Sequence, residues 1–280
     1  MSAPVTAFDA VVLGVVEGLT EFLPVSSTGH LTVAEGLLGL QVDAPAVTAF
    51  TAIIQFGAIV ATFLYFRRDI VRLAVAGVGG LVSAERRQHP DYRFAWSVVL
   101  GSIPIALVGF LSKGVVAGPL RNLWVVAGAL VLWSAVMYVA ELRPRQKYAE
   151  QDLSIRQVLL VGLAQCMALV PGVSRSGATI SGGLLLGATR VAATRLSFFL
   201  AVPALTGAGI YELKDVDTTV VSWGVLGLGT LVSFVVAYAS IAWLLRLVAK
   251  YPITVFVPYR VVAGLALGAL LLTGVVTPTG

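Results

Sequence analysis

Two apolar stretches, residues 5–39 and 155–187, are each broken mid-way by small and polar residues, PVSSTG (24–29) and PGVSRSG (171–177). A helix needs about 20 continuous apolar residues to cross a ~30 Å hydrocarbon layer, and each half-stretch is shorter than that. Irregular backbone at membrane depth is tolerated only where protein buries it or where it lines a cavity. The chain must therefore enclose its own breaks. Both regions read as re-entrant helical hairpins that dip into the bilayer and return.

Six uninterrupted apolar blocks surround them, at about 46–66, 93–112, 119–140, 192–211, 221–248 and 256–276. With 58% hydrophobic and 12% charged residues, the expected class is an all-α integral membrane protein. Strand-like alternation with turn signals is absent, which argues against a β-barrel. The start of the chain has no basic region, and Glu17 and Glu21 interrupt its first apolar stretch, so no cleaved signal peptide is expected. One cysteine, Cys166, allows no internal disulfide. The formal charge of +5 reads as basic loops on one membrane side and not as a nucleic-acid surface.

The breaks align at an offset of 148 residues, Ser26-Ser27-Thr28-Gly29 on Ser174-Arg175-Ser176-Gly177. The same offset places Gly14 on Gly162, Glu17 on Gln165 and Phe50 on Phe198. The chain thus reads as two copies of one unit within one compact membrane domain, residues 1–143 and 152–280, each a hairpin followed by three spans. An odd number of spans inverts the second copy, an inverted-topology repeat of the kind that brings interrupted helices together at the midplane. If the loop after the first span is cytoplasmic, 15 of the 19 Lys and Arg residues, among them Arg67, Arg68, Arg72, Arg143, Arg145, Arg195 and Arg260, fall on the inner side. Three fall outside (Lys113, Arg121 and Lys214), and Arg175 lies in the second break. That bias matches the positive-inside rule and puts both termini outside.

Ionisable groups inside a membrane are costly and mark function. Glu17 and Glu21, four residues apart, share a helix face; the pair can hold a hard divalent metal, or one member can act as a base. His30 follows Ser26, Ser27 and Thr28, and a hydroxyl near an imidazole is what nucleophilic catalysis needs, although the same residues also make a polar helix cap. Arg175 sits between apolar stretches and needs an anion, and its planar fork matches phosphate or carboxylate oxygens. Ser174, Ser176 and Thr179 add hydroxyls, and Gly172 and Gly177 permit close backbone approach. A salt bridge from Arg175 to Glu17 or Glu21 is compatible with this when no ligand is bound. The half-sites combine into one anion pocket reached from within the membrane, suited to a phosphate with an oily tail.

EGLTEFLPVSSTGH (17–30) and PGVSRSGATISGG (171–183) resemble the two signature motifs of the bacterial undecaprenyl-diphosphate phosphatases, also called bacitracin-resistance proteins, and the likeness extends to FFLAVP (198–203) and YR (259–260). The resemblance implies a multi-pass enzyme of the bacterial inner membrane, active mainly at the outer face. Such an enzyme hydrolyses undecaprenyl diphosphate to undecaprenyl phosphate, the lipid carrier of cell-wall synthesis, and inorganic phosphate. It further implies a divalent cation, magnesium or calcium, and a homodimer. On that pattern Arg175, Ser26, Thr28, Ser174, Ser176 and Thr179 bind the diphosphate, with Gly172 and Gly177 beside it. Glu17 and Glu21 hold the metal, and Ser27 is the nucleophile with His30 as its base. A competing mechanism has water attack directly, with His30 or Glu21 as base. The rival function is a transporter or flippase for a polyprenyl phosphate, which needs the same anion site but releases no phosphate.

Overall fold

The computed structural model describes residues 5–42, 44–120, 122–142, 146–215 and 221–278. Arg121, Arg143 and Arg145 of the charge count, the boundary at 143 and residues 216–217 of the acidic loop lie outside the described residues. Eleven α-helices occur among the described residues, and no strand element does. Six helices are long and apolar enough to cross a membrane: α3 (Pro45–Tyr65), α5 (Pro90–Ala117), α6 (Leu123–Glu141), α9 (Arg190–Glu212), α10 (Trp223–Val248) and α11 (Val257–Leu272), the last together with the 3-10 turn that runs into it, 20 residues over Ile253–Leu272. They match the six apolar blocks, because continuous apolar length is what such a helix requires. Leu107, Leu132, Leu231 and Leu265 on these helices face outward, a surface that a soluble monomer rarely presents and that a bilayer covers.

Each broken stretch forms two short helices. The first gives α1 (Ala7–Thr20) and α2 (Ser27–Leu37), the second α7 (Ile155–Gln165) and α8 (Arg175–Leu185). The starts are encoded locally by capping boxes, Thr6 with Asp9 before α1 and Ser154 with Gln157 before α7. α1 packs on α10, and α7 packs on α5. Both contacts need glycine: a Cβ on Gly14 would sit 2.7 Å from the Gly229 carbonyl oxygen, and one on Gly162 would overlap the Gly101 carbonyl.

Behind the breaks lies an aromatic core. Phe22 meets Phe198 edge-on at 5.1 Å between centroids, and Phe66 lies 5.4 Å from both Phe198 and Phe199. Phe22 directly follows Glu21 and Phe198 directly follows Ser197, so this packing fixes where the adjacent polar groups stand.

One helix is unanticipated. Residues 67–82 form α4 (Arg67–Val82), which buries Leu73, Gly77 and Gly80 and exposes Val71, Val75, Val78 and Leu81. Its 16 residues extend only ~24 Å, short of a crossing. Two cations that the sequence places on the inner side are paired: Arg72 bridges Asp69 and Asp91, each at 3.0 Å, and Arg195 bridges Asp69 at 3.1 Å and Glu150 at 2.6 Å. This network ties α4 to α5, to α9 and to the 3-10 turn at Glu150–Asp152.

Candidate active site

Ser26 and Ser174 are the only non-glycine residues with positive φ among the described residues, at 78° and 77°. That region is sterically costly for an L-residue, by ~1–3 kcal/mol. Each serine offsets part of the cost by capping the helix it precedes. Ser26 Oγ accepts from the Gly29 amide at 3.4 Å, and Ser174 Oγ from the Gly177 amide at 3.2 Å.

The two breaks touch. The Gly172 amide donates to Ser26 Oγ at 3.2 Å, and Ser176 Oγ donates to the Leu23 carbonyl at 2.9 Å. Gly172 (φ 97°) could be nothing larger here, since a Cβ would stand 2.5 Å from the Val126 carbonyl oxygen of α6.

Across this junction Arg175 meets Glu21. Nη2 lies 2.9 Å and Nε 3.3 Å from Glu21 Oε1, while Nη1 donates to the Ser197 carbonyl at 3.1 Å. Both side chains are nearly buried, at 9% and 4% exposure, so solvent screens the pair little. Ser27 Oγ donates to the other carboxylate oxygen, Glu21 Oε2, at 2.6 Å. One carboxylate thus holds the guanidinium on one oxygen and the serine hydroxyl on the other.

The sequence pairs Ser27 with His30, but the structure does not. His30 Nδ1 lies 2.7 Å from the Ser26 carbonyl, so it carries the proton and donates. Nε2 faces the Tyr259 hydroxyl at 2.5 Å, and the two rings stack at 5.6 Å. Both ring nitrogens are therefore taken, and the basic group in contact with Ser27 is Glu21.

Glu17 is completely buried, and neither of its carboxylate oxygens has a hydrogen-bond partner. A buried carboxylate in that state calls for a proton or a cation. Among the described residues no three His, Cys, Asp or Glu side chains cluster closely enough to cage a metal. Two carboxylates are nonetheless sufficient for a magnesium ion, which keeps several waters and takes its remaining ligands from substrate phosphates. Glu17 and Glu21 therefore fit such an ion.

The other expected ligands are used internally. Ser174 and Ser176 bond each other at 3.1 Å, and Thr179 Oγ1 donates to Ser197 Oγ at 2.7 Å. Ser26 is the tie to Gly172 described above. Gly172 and Gly177 serve protein packing and capping, and Thr28 is exposed. Of this group only Thr28 is exposed.

Arg260 corrects the charge count. Instead of lying at the inner surface, its guanidinium is fully buried against the breaks. It donates to the Pro24 carbonyl at 2.9 Å, to Gly172 and Val173 carbonyls at 3.0 and 3.2 Å, and to Ser134 Oγ at 3.2 Å. Its place in the first turn of an apolar helix hides this, because the carbonyls it reaches lie 87 to 236 residues away in sequence.

The family model "Bacitracin resistance protein BacA" matches residues 10–266. The chain belongs to the BacA family. Members similar to it include "Undecaprenyl-diphosphatase 1" of Streptomyces coelicolor, 57% identical over 95% of this chain and 96% of that protein. "Undecaprenyl-diphosphatase" of Acidothermus cellulolyticus is 55% identical over 95% and 97%, and that of Cutibacterium acnes is 48% identical over 96% and 98%. In this BacA-family chain, sequence reasoning gave no site role to Ser134, Ser197, Tyr259 or Arg260. The signal for Arg260 was an arginine in an apolar span with no acid within one turn; Tyr259 and Ser197 carry no such mark.

Proposed function

We propose that this chain hydrolyses undecaprenyl diphosphate to undecaprenyl phosphate and inorganic phosphate, recycling the lipid carrier of cell-wall synthesis and conferring bacitracin resistance. The observation that carries the site assignment is the Arg175–Glu21–Ser27 chain of contacts at the meeting point of the two breaks. The guanidinium and the N-terminus of α8 supply positive potential to a diphosphate. Ser27 attacks the terminal phosphorus, and its proton passes to Glu21 Oε2, the atom it already contacts. The bond between that phosphorus and the bridging oxygen breaks, and undecaprenyl phosphate leaves. Water then attacks the phosphoserine phosphorus, giving its proton to His30 Nε2 in exchange for the Tyr259 contact; the bond from phosphorus to Ser27 Oγ breaks, Glu21 returns its proton to that oxygen, and inorganic phosphate leaves. Direct attack by water is the competing route; a trapped phosphoryl group on Ser27 separates the two.

A divalent cation, magnesium or calcium, held by Glu17 and Glu21, would offset charge on the phosphate oxygens. In this reading α1–α2 and α7–α8 are re-entrant hairpins of two inverted repeats, 1–143 and 152–280. The paired serines of positive φ and the glycine contacts of α1 on α10 and α7 on α5 support it. The enzyme sits in the bacterial inner membrane with its site open to the outer face, as a homodimer. The deciding experiment is phosphate release from undecaprenyl diphosphate in detergent with magnesium, using wild type, Glu21→Ala and Arg175→Ala. Wild type should release phosphate and both variants should lose most turnover. A lipid flippase would release none, and a near-normal Arg175→Ala would overturn the site.

A further inference from the structure

Arg260 is the largest side chain in the fully buried set, and no carboxylate among the described residues pairs with it. A guanidinium without an acid, in an apolar setting, is expensive to hold. What it holds is specific. Nη1 takes Pro24 from the first break, and Nη2 takes Gly172 and Val173 from the second. Nε takes Ser134 on α6, the helix against which Gly172 packs. The fork thus spans the junction on one side, as Arg175 and Glu21 span it on another. Pro24 lies two residues before Ser26, and Val173 immediately precedes Ser174, so Arg260 grips the backbone beside both strained caps.

We infer that Arg260 is a positioning residue for phosphoryl transfer: by binding carbonyls of both breaks it sets the spacing between them, and so the register of Arg175 against Glu21 and Ser27. This rests on the reading of those three residues as the site. A lysine keeps the charge but, as a point donor, cannot hold Nε and both Nη contacts at once. Methionine keeps much of the volume and none of the bonds.

The test measures kcat and KM for undecaprenyl diphosphate, thermal midpoint, and amide exchange of residues 22–29 and 170–177 in wild type, Arg175→Ala, Arg260→Lys and Arg260→Met, all in detergent with magnesium. Because misplacement of about 1 Å costs on the order of 10²-fold, Arg260→Met should lose about that much in kcat while KM stays within about threefold. Both break peptides should exchange faster together, and Arg260→Lys should recover about tenfold in kcat over the methionine variant. Folded Arg260→Met with kcat near wild type overturns the inference, as does a loss confined to KM, or a lysine variant no better than methionine. If neither variant folds, the residue serves the fold at large and the inference is likewise lost. An active Arg175→Ala would remove the underlying site reading; an inactive one beside normal Arg260 variants would remove only this inference.

Discussion

Arg175 Nη2 and Glu21 Oε1 lie 2.9 Å apart although 154 residues separate them in the chain. Both side chains are nearly buried, so each is the other's main counter-charge. Removing one partner of such a pair leaves an uncompensated buried charge and costs ~3–5 kcal/mol, whereas replacing both can be neutral. Arg175→Met should therefore lower the thermal midpoint clearly, and Glu21→Gln/Arg175→Met should restore most of it without restoring phosphate release. Equal melting of Arg175→Met and wild type would contradict the pairing.

Ser27 should be the residue that carries the phosphoryl group. Acid quenching of turnover in His30→Gln, which lacks the base for the second step, should show a protein mass increased by one phosphoryl group, and Ser27→Ala should show none. An unmodified mass under rapid quench, with Ser27→Ala retaining turnover, would favour direct attack by water.

Tyr259 holds His30 in two ways, by its hydroxyl on Nε2 and by ring stacking. Tyr259→Phe removes the hydrogen bond alone, worth about 1 kcal/mol or roughly fivefold in rate. Tyr259→Ala removes both and should lose more. Steady-state phosphate release measures each; equal rates for the two variants and wild type would leave Tyr259 without a part in the site.

Chelation should abolish phosphate release, and magnesium should return it. Glu17→Gln should raise the magnesium concentration needed for half-activation by about tenfold or more, since one of two carboxylate ligands loses its charge. It should also raise the thermal midpoint without metal, because the unpartnered buried carboxylate is gone. An unchanged activation curve would separate Glu17 from the cation.

The six spans were legible in the sequence because hydrocarbon thickness demands continuous apolar length, and the breaks because proline, glycine and serine interrupt it. Helix α4 was not, since a 16-residue amphipathic segment meets neither criterion. The acid pair and Arg175 stood out as charges in apolar surroundings. The partner of Ser27 could not be read, because Glu21 and His30 flank it in sequence and only the folded break decides which one it faces. The same holds for Ser174 and Ser176, whose spacing suits a phosphate as well as it suits the Leu23 carbonyl they reach, 151 and 153 residues away. Arg260 was misplaced for the same reason: a charge count assigns a side chain by its position along the helix and cannot see it turn inward.

The junction of the two breaks also has a consequence for biogenesis. At translation speeds of ~5–20 residues per second, roughly 8 to 30 s pass between the emergence of Glu21 and that of Arg175. Throughout that interval the nascent chain carries an acid, a serine and an imidazole with no cation to complete them. Arg260 is made later still. A ribosome stalled in the first half would thus leave an inert fragment in the membrane, and hydrolytic capacity would arise only once nearly the whole polypeptide had been inserted.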